Sequence, residues 1–315
     1  MVLSKSFLVD ANYLTPSPLH SYHNNGFDTV MAVENDPDAV RTLKENNPWV
    51  KVYDGCIKKF LHDYDTLACA LGRIDHIHYS SPCQDFSSAN RVAANQSVVT
   101  GPRERADLSL LLIDFIRKTS CDTAVFENVV GIWRPNNAHY LLNMTKEIMK
   151  LGYQVRCTVL HACDYGDPQR RPRVFMFVAK NNVPLPSVPP VTHGTRPLWP
   201  YVTVKCALSQ VENDNSLPNM EGRATNLKPG QHGHICLDGN DVAPTLRAAA
   251  VTPFHFSGDR LLYVREVATL QSFPVRYKFY GGITSQYRQA GNAVPVETST
   301  AVAQSIRQVL LYEYE

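Results

Sequence analysis

The stretch TVMAVENDPDAVRTLKENNPWVKVYD, residues 29–54, decides the fold. Thr29 to Val33 is a short apolar run with β-branched residues, which reads as a buried strand ending in Glu34-Asn35-Asp36. From Asp38 to Asn46 the apolar residues Ala39, Val40 and Leu43 line one face of a helix. Val50 to Tyr53 then reads as a second strand that stops at Asp54. Two strands joined by a helix crossover run parallel.

The alternation extends in both directions. Lys5 to Ala11 reads as a strand before this unit. Ile74 to Tyr79 reads as a buried strand that delivers Ser81-Pro82-Cys83. Leu108 to Arg117 is an apolar helix, and Thr123 to Phe126 a strand that delivers Glu127. A helix from about Ala138 to Leu151 follows, then a late strand pair, Gln154 to Leu160 and Arg173 to Ala179. The pattern predicts an α/β fold with a doubly wound, mostly parallel sheet of about seven strands. Ligands in such sheets lie at the carboxyl ends of the strands. Glu34, Asp54, Cys83 and Glu127 all fall there, which points to a single cleft.

Composition narrows the class. Hydrophobic residues make up 44% and charged residues 19%, as in an ordinary globular protein. The net charge of +2 carries no basic tail, so any nucleic-acid surface must be local. The eight cysteines include no Cys-x-x-Cys pair, which argues against a zinc ribbon or a disulfide framework, and no metal is expected. No apolar run approaches the roughly 20 residues of a membrane span, and the first residues lack the apolar core of a signal peptide. A reducing compartment follows: the nucleus if the source is eukaryotic, otherwise the cytoplasm.

Four short motifs carry the chemistry: Ser81-Pro82-Cys83-Gln84, Phe126-Glu127-Asn128-Val129, Gln169-Arg170-Arg171-Pro172-Arg173 and Gly291-Asn292-Ala293-Val294-Pro295. Each alone is weak. A lone cysteine after a strand is most often a buried small apolar side chain. In this order, however, the set resembles the DNA (cytosine-5) methyltransferases. The resemblance runs from about Asp28 to the C-terminal helix, Val296 to Tyr314, and includes Arg265 to Pro274, similar to a supporting helix of that family. It implies a Rossmann-like, S-adenosyl-L-methionine-dependent enzyme that methylates carbon 5 of cytosine in DNA. Carbon 5 is a poor nucleophile until a thiolate adds to carbon 6, and that addition pushes charge toward N3 and O2. The resemblance makes Cys83 the nucleophile, places Glu127 at N3 and Arg173 at O2, and gives Arg171 a supporting role. Two other readings remain open at this point: a catalytically silent nucleic-acid-binding or scaffold protein of the same fold, and a tRNA cytosine-5 methyltransferase.

The resemblance also implies a cofactor site. Glu34 stands where a carboxylate holds the ribose, Asp54 where an acid meets the adenine amine, and Asn292 and Val294 where the methionine side is lined. The first motif departs from the family. A glycine loop is expected after the first strand, yet residues 9–18 read VDANYLTPSP, with no glycine before Gly26. Pro16 and Pro18 argue against a tight helical turn there. An altered working loop, a non-binding protein and a misreported N-terminus all fit that departure.

On the DNA side, the polar stretch Asp85 to Arg105 resembles the family's mobile loop. Gln84, Ser87, Arg91, Arg103 and Arg105 supply donors for phosphates and for the vacated base stack. Backbone contacts are expected from this loop and from the Arg170–Arg173 run. Residues 182–200, with six prolines, read as a linker after a catalytic and cofactor-binding domain at 1–181. Residues 201–260 read as a reduced target-recognition lobe and 261–315 as a segment returning to the first domain. The lobe holds few basic or aromatic residues, so sequence selectivity is expected to be weak or to come from a protein partner or a further domain.

Overall fold

The computed structural model describes residues 4–10, 16–82, 86, 107–212, 214–223, 225–246 and 252–311. Its first half runs β1 (Ser4–Asp10), α1 (Pro16–Asn24), β2 (Phe27–Glu34), α2 (Pro37–Asn46), β3 (Lys51–Asp54), α3 (Ile57–Leu71), β4 (His76–Ser80), α4 (Leu111–Thr119), β5 (Thr123–Val129), α5 (Ala138–Lys150) and β6 (Tyr153–His161). The second half runs β7 (Gln169–Arg170), β8 (Pro172–Lys180), α6 (Val204–Leu208), β9 (Ala243–Pro244), α7 (Val264–Thr269), α8 (Ile283–Asn292) and α9 (Val296–Leu311).

Seven strands form one sheet in the order β3-β2-β1-β4-β5-β8-β6, parallel except for β8, which is antiparallel to both neighbours. The fold is the doubly wound, mostly parallel sheet that the sequence predicts. Strand order reverses between β1 and β4, and this is where such sheets open a crevice. Alternation along the strands splits the apolar side chains into two layers. Ile77, Tyr79, Ala124, Phe126, Val174 and Met176 pack under α3, α4 and α5. Val125, Phe175 and Phe177 pack on the opposite face with Leu19 and Tyr22 of α1 and Val302 and Ile306 of α9. A third cluster, from Val204 to Val296, gathers Leu217, Leu237, Leu262, Phe273 and Tyr287.

Two helices of the first half differ from expectation. The helix α1 begins at Pro16 itself, so the prolines that argued against a helical turn open one. Proline in a first turn lacks only an N–H that would have no intrahelical partner. The 15-residue helix α3 was not expected at all. Its apolar residues Ile57, Phe60, Leu61, Tyr64 and Leu71 do recur at helical spacing, but Cys56 at its N-cap makes no side-chain bond and gives no start signal. It stops at Gly72, whose φ of 71° suits glycine. The predicted late strands are present as the antiparallel pair β6 and β8.

Candidate active site

Register places the central carboxylate. In the β4–β5 ladder Ser80 lies opposite Glu127, and in the β5–β8 ladder Val129 lies opposite Arg173. Glu127 and Arg173 therefore meet across the strand ends, with Arg173 Nε 3.1 Å from Glu127 Oε1. Both are buried, at 7% and 9% exposure, so the pair is stripped of most of its water. Burial pushes the Glu127 carboxyl above its ordinary range, while the charges of Arg173 and Arg171 and a hydrogen bond from Ser80 pull the other way. The result is a carboxyl able to carry a proton at higher pH than a surface glutamate, which is what a donor to a ring nitrogen requires.

Cys83, Gln84, Ser87, Arg91, Arg103 and Arg105 lie outside the described residues, but both flanks of the cysteine are defined. On one side Asn128 Nδ2 donates to Ser81 Oγ (2.8 Å) and to the Ser81 carbonyl (3.2 Å), tying the Ser81-Pro82 turn to the Glu127 strand. On the other side Phe86 is buried against Tyr140, with ring centroids 5.3 Å apart. Its backbone lies so close to Gly131 that a Cβ there would stand 1.8 Å from the Phe86 carbonyl oxygen. Only glycine lets the chain pass at that distance.

The arginine run is an internal hub rather than an open basic surface. Arg170 is exposed but bidentate to Asp241, both bonds 2.8 Å. Arg171, 2% exposed, donates to the carbonyls of Leu246 (3.0 Å) and Asn292 (3.1 Å). Its partners join the segment after β9 to the end of α8, and it reaches Glu127 through its charge. Gln169 adds bonds to Leu270 O and Leu246 N. Asp167 accepts from Glu297 N (3.2 Å), Thr298 N (2.9 Å) and Thr298 Oγ1 (2.6 Å), and so holds the first turn of α9. Complete burial pushes its carboxyl up to about 7, against the hydroxyl and amide bonds that favour the anion.

The residues read as cofactor ligands divide between two places. Glu34 and Asp54 end adjacent parallel strands in register. Glu34 is fully buried, and its Oε1 accepts from the N–H of Asn35 (2.7 Å) and Asp36 (2.8 Å). Asp54 is exposed. A fixed carboxylate one strand away from an exposed one fits the hydroxyls of a ribose and the amine of an adenine. Asn292 ends α8 and gives its carbonyl to Arg171. Val294 is buried in the cluster with Leu19, Tyr22 and Val302. The loop at 11–15, where glycines were expected, lies outside the described residues.

Four residues escaped the sequence reading: Ser80, Asn128, Gly131 and Asp167. Asn128 and Gly131 stood beside Glu127 and had a local signal. Ser80 and Asp167 act through partners 47 and 131 residues away, which spacing does not reveal.

The model of the family "C-5 cytosine-specific DNA methylase" matches residues 19–228 and 219–308. The match begins inside α1, after the altered first loop. The chain is 28% identical over 311 residues to the type II methyltransferase M.NgoMIV of Neisseria gonorrhoeae, covering 91% of this chain and 93% of the relative. It is 27% identical over 313 residues to the type II methyltransferase M1.HphI of Haemophilus parahaemolyticus, covering 89% and 81%. These bacterial relatives lend no support to a nuclear location. Among solved structures, a prophage-encoded candidate DNA modification methyltransferase of E. coli superposes with a TM-score of 0.76 at 19% identity, covering 98% of this chain and all of the other. The S. pombe Dnmt2 methyltransferase superposes at 0.67 with 14% identity, covering 99% and 100%. At these identities the superpositions speak for the fold. No helix among the described residues is long and apolar enough to cross a membrane.

Proposed function

The chain belongs to the C-5 cytosine-specific DNA methylase family, and on that premise we propose that Cys83, Glu127 and Arg173 perform its chemistry, with Arg171 holding the site together. The reaction is methyl transfer to carbon 5 of cytosine in DNA. S-adenosylmethionine, when bound, supplies an electrophilic methyl group on a sulfonium. Glu34 and Asp54 would hold its ribose and adenine, and the segment from Asn292 to Val294 would line its methionine side.

The observation that supports these roles best is the buried Glu127–Arg173 pair, tied through Ser80 and Asn128 to the turn that leads into Cys83. The Cys83 thiolate adds to carbon 6 of a base taken out of the stack, forming an S–C6 bond and moving an electron pair toward N3 and O2. Glu127 holds a proton at N3, and Arg173 faces O2 while keeping Glu127 oriented. Carbon 5 is thereby nucleophilic toward the methyl group that the sulfonium would supply, leaving as a thioether. Once carbon 5 is methylated, loss of its proton to water re-forms the C5–C6 double bond while the S–C6 bond breaks and its electron pair returns to the Cys83 thiolate.

DNA backbone contacts come from Gln84, Ser87, Arg91, Arg103 and Arg105. The division into 1–181, a linker at 182–200, a reduced recognition lobe at 201–260 and a returning segment at 261–315 is part of the same reading. The lobe's apolar interior continues through α7 and α8. Its sequence selectivity is weak unless a partner protein or a further domain supplies it.

DNA containing 5-fluorocytosine tests the core of this reading, because fluorine cannot leave as a proton. With S-adenosylmethionine present, a stable protein–DNA adduct forms, and Cys83→Ser abolishes it. An adduct that survives Cys83→Ser assigns the nucleophile elsewhere.

A further inference from the structure

One face of β4 carries a feature that the methyl-transfer roles do not use. His76, His78 and Ser80 alternate along the strand, all buried, and face α1 rather than the α3–α4 layer that takes Ile77 and Tyr79. Tyr22 of α1 sits between the two histidines. Its hydroxyl lies 3.1 Å from His76 Nε2 and 3.2 Å from His78 Nδ1. At the lower end His76 Nδ1 lies 2.9 Å from Thr123 Oγ1. At the upper end His78 Nε2 lies 3.3 Å from Ser80 Oγ, and Ser80 stands opposite Glu127 in the β4–β5 ladder, where its hydroxyl favours the Glu127 carboxylate. A continuous chain, Thr123–His76–Tyr22–His78–Ser80–Glu127, thus runs up inside the protein and ends at the carboxyl placed at N3.

The chain has a direction. Burial pulls His78 down to about 3 and His76 well below its ordinary value, and raises Tyr22, so both imidazoles and the phenol are neutral at working pH. A neutral imidazole has one N–H and one lone pair, so each ring must accept on one side and donate on the other. The upper end sets which, because a carboxylate only accepts and the Ser80 hydroxyl is then the donor to Glu127. At the lower end the Thr123 hydroxyl also has a long bond to the Asp75 carbonyl, at 3.5 Å, which already accepts from the N–H of Asp122 and of Thr123, both at 3.0 Å. Followed down from Ser80, the Thr123 hydroxyl is the donor to His76 Nδ1, the shorter of its two contacts. His76 Nε2–H donates to Tyr22, Tyr22 to His78 Nδ1, and His78 Nε2–H to Ser80. The Ser80 proton is left pointing at Glu127.

We propose that Tyr22 and His78 are positioning residues for Glu127, acting through this ordered chain to keep the Ser80 hydroxyl as a donor to its carboxyl group. The proposal rests on the reading of Glu127 as the group at N3. It gives Glu127 a third partner besides Arg173, which bonds it from β8, and Arg171, which acts through its charge. The donor favours the carboxylate and offsets part of the effect of burial. The midpoint of Glu127 is thereby set by a residue on α1, a helix that the motif pattern leaves outside the site.

Two measurements on the full chain test this. Glutamate labelled with carbon-13 at the side-chain carboxyl, with Glu127→Gln identifying the signal, gives the Glu127 midpoint without any turnover. Nitrogen-15 histidine spectra give the tautomers. The expected result is His78 protonated on Nε2 and a Glu127 midpoint that rises by about half a unit or more in Ser80→Ala. Tyr22→Phe, which keeps the ring and removes the bridge, should raise it by a smaller amount, and the His78 spectrum should show mixed tautomers. The alkaline limb of the methyl-transfer pH profile should move up in the same order. His78 protonated on Nδ1 overturns the proposal, as does a midpoint unmoved in both variants. If the midpoints move as expected while Glu127→Gln methylates normally, the chain stands and the N3 assignment falls.

Discussion

Glu127 and Glu34 are both buried glutamates near the ends of parallel strands, yet they are held by different kinds of partner. Glu34 takes the backbone N–H groups of the next two residues, so its own turn contributes to its orientation. Glu127 takes Arg173 from β8 and Ser80 from β4, partners 46 and 47 residues away in sequence. A carboxylate fixed by local amides is ready as soon as its strand ends. One fixed by distant side chains exists only when three strands are in register, and its chemistry is correspondingly easier to perturb.

The largest effect should follow from Glu127→Gln, which keeps the shape and removes the ionisable proton. A loss of about 10²- to 10⁴-fold in single-turnover methyl transfer is expected, with the fold intact. Near-normal transfer would remove Glu127 from the chemistry. Next comes Arg173→Ala, which leaves a buried carboxyl without its main partner and should cost about 3–5 kcal/mol in urea unfolding. The sign of its pH dependence is fixed. Losing Arg173 raises the folded-state value of Glu127 further above its unfolded one, and a raised group contributes stability below the unfolded value that is lost as pH rises through the folded one. The destabilisation should therefore shrink as pH falls toward the ordinary glutamate range, and Glu127→Gln in the same chain should recover part of it. A pH-independent cost would mean that Arg173 works through packing alone.

A smaller effect is expected from Glu34→Gln: roughly tenfold weaker binding of S-adenosylmethionine by calorimetry, or about 1.4 kcal/mol, with little change in unfolding. If instead it unfolds the protein as Arg173→Ala does, the contrast between local and distant support is wrong. The smallest change, and a test of sign, is Asp167→Asn. With its folded value near 7 and an ordinary unfolded value, Asp167 contributes stability fully only at acid pH and loses it as pH climbs toward about 7. Melting curves between about pH 4.5 and 8 should show the variant gaining on the parent across that window and levelling off above it. A constant offset would show that the helix-capping bonds outweigh burial.

The same contrast explains what could be read from sequence. Strands β2 to β5 and the βαβ unit at 29–54 stood out because apolar runs and helical spacing are local properties. The strand-end positions of Glu34, Asp54 and Glu127 follow from the same local pattern. The helix at Pro16 was missed because proline was read as a breaker when its place in the first turn makes it an opener. The Arg170–Arg173 run was read as a DNA-facing surface, whereas its side chains turn to Asp241, Leu246, Asn292 and Glu127. Those partners lie up to 121 residues away, and nothing in the run's own composition tells a buried arginine from a solvated one. Likewise the histidines at 76 and 78 look like ordinary polar interruptions of a strand until α1 brings Tyr22 between them.

The packing of α1 against α9 has a consequence for how the chain is made. Ser21 Oγ donates to the Val296 carbonyl across 275 residues, and Leu19 and Tyr22 share their apolar layer with Val302 and Ile306. During synthesis α1 leaves the ribosome early, and the part of that layer formed by Val302 and Ile306 is missing until the last helix appears. At about 5–20 residues per second the wait is on the order of 15 to 55 seconds. For that interval the part of this layer that α9 covers stays open on the nascent chain.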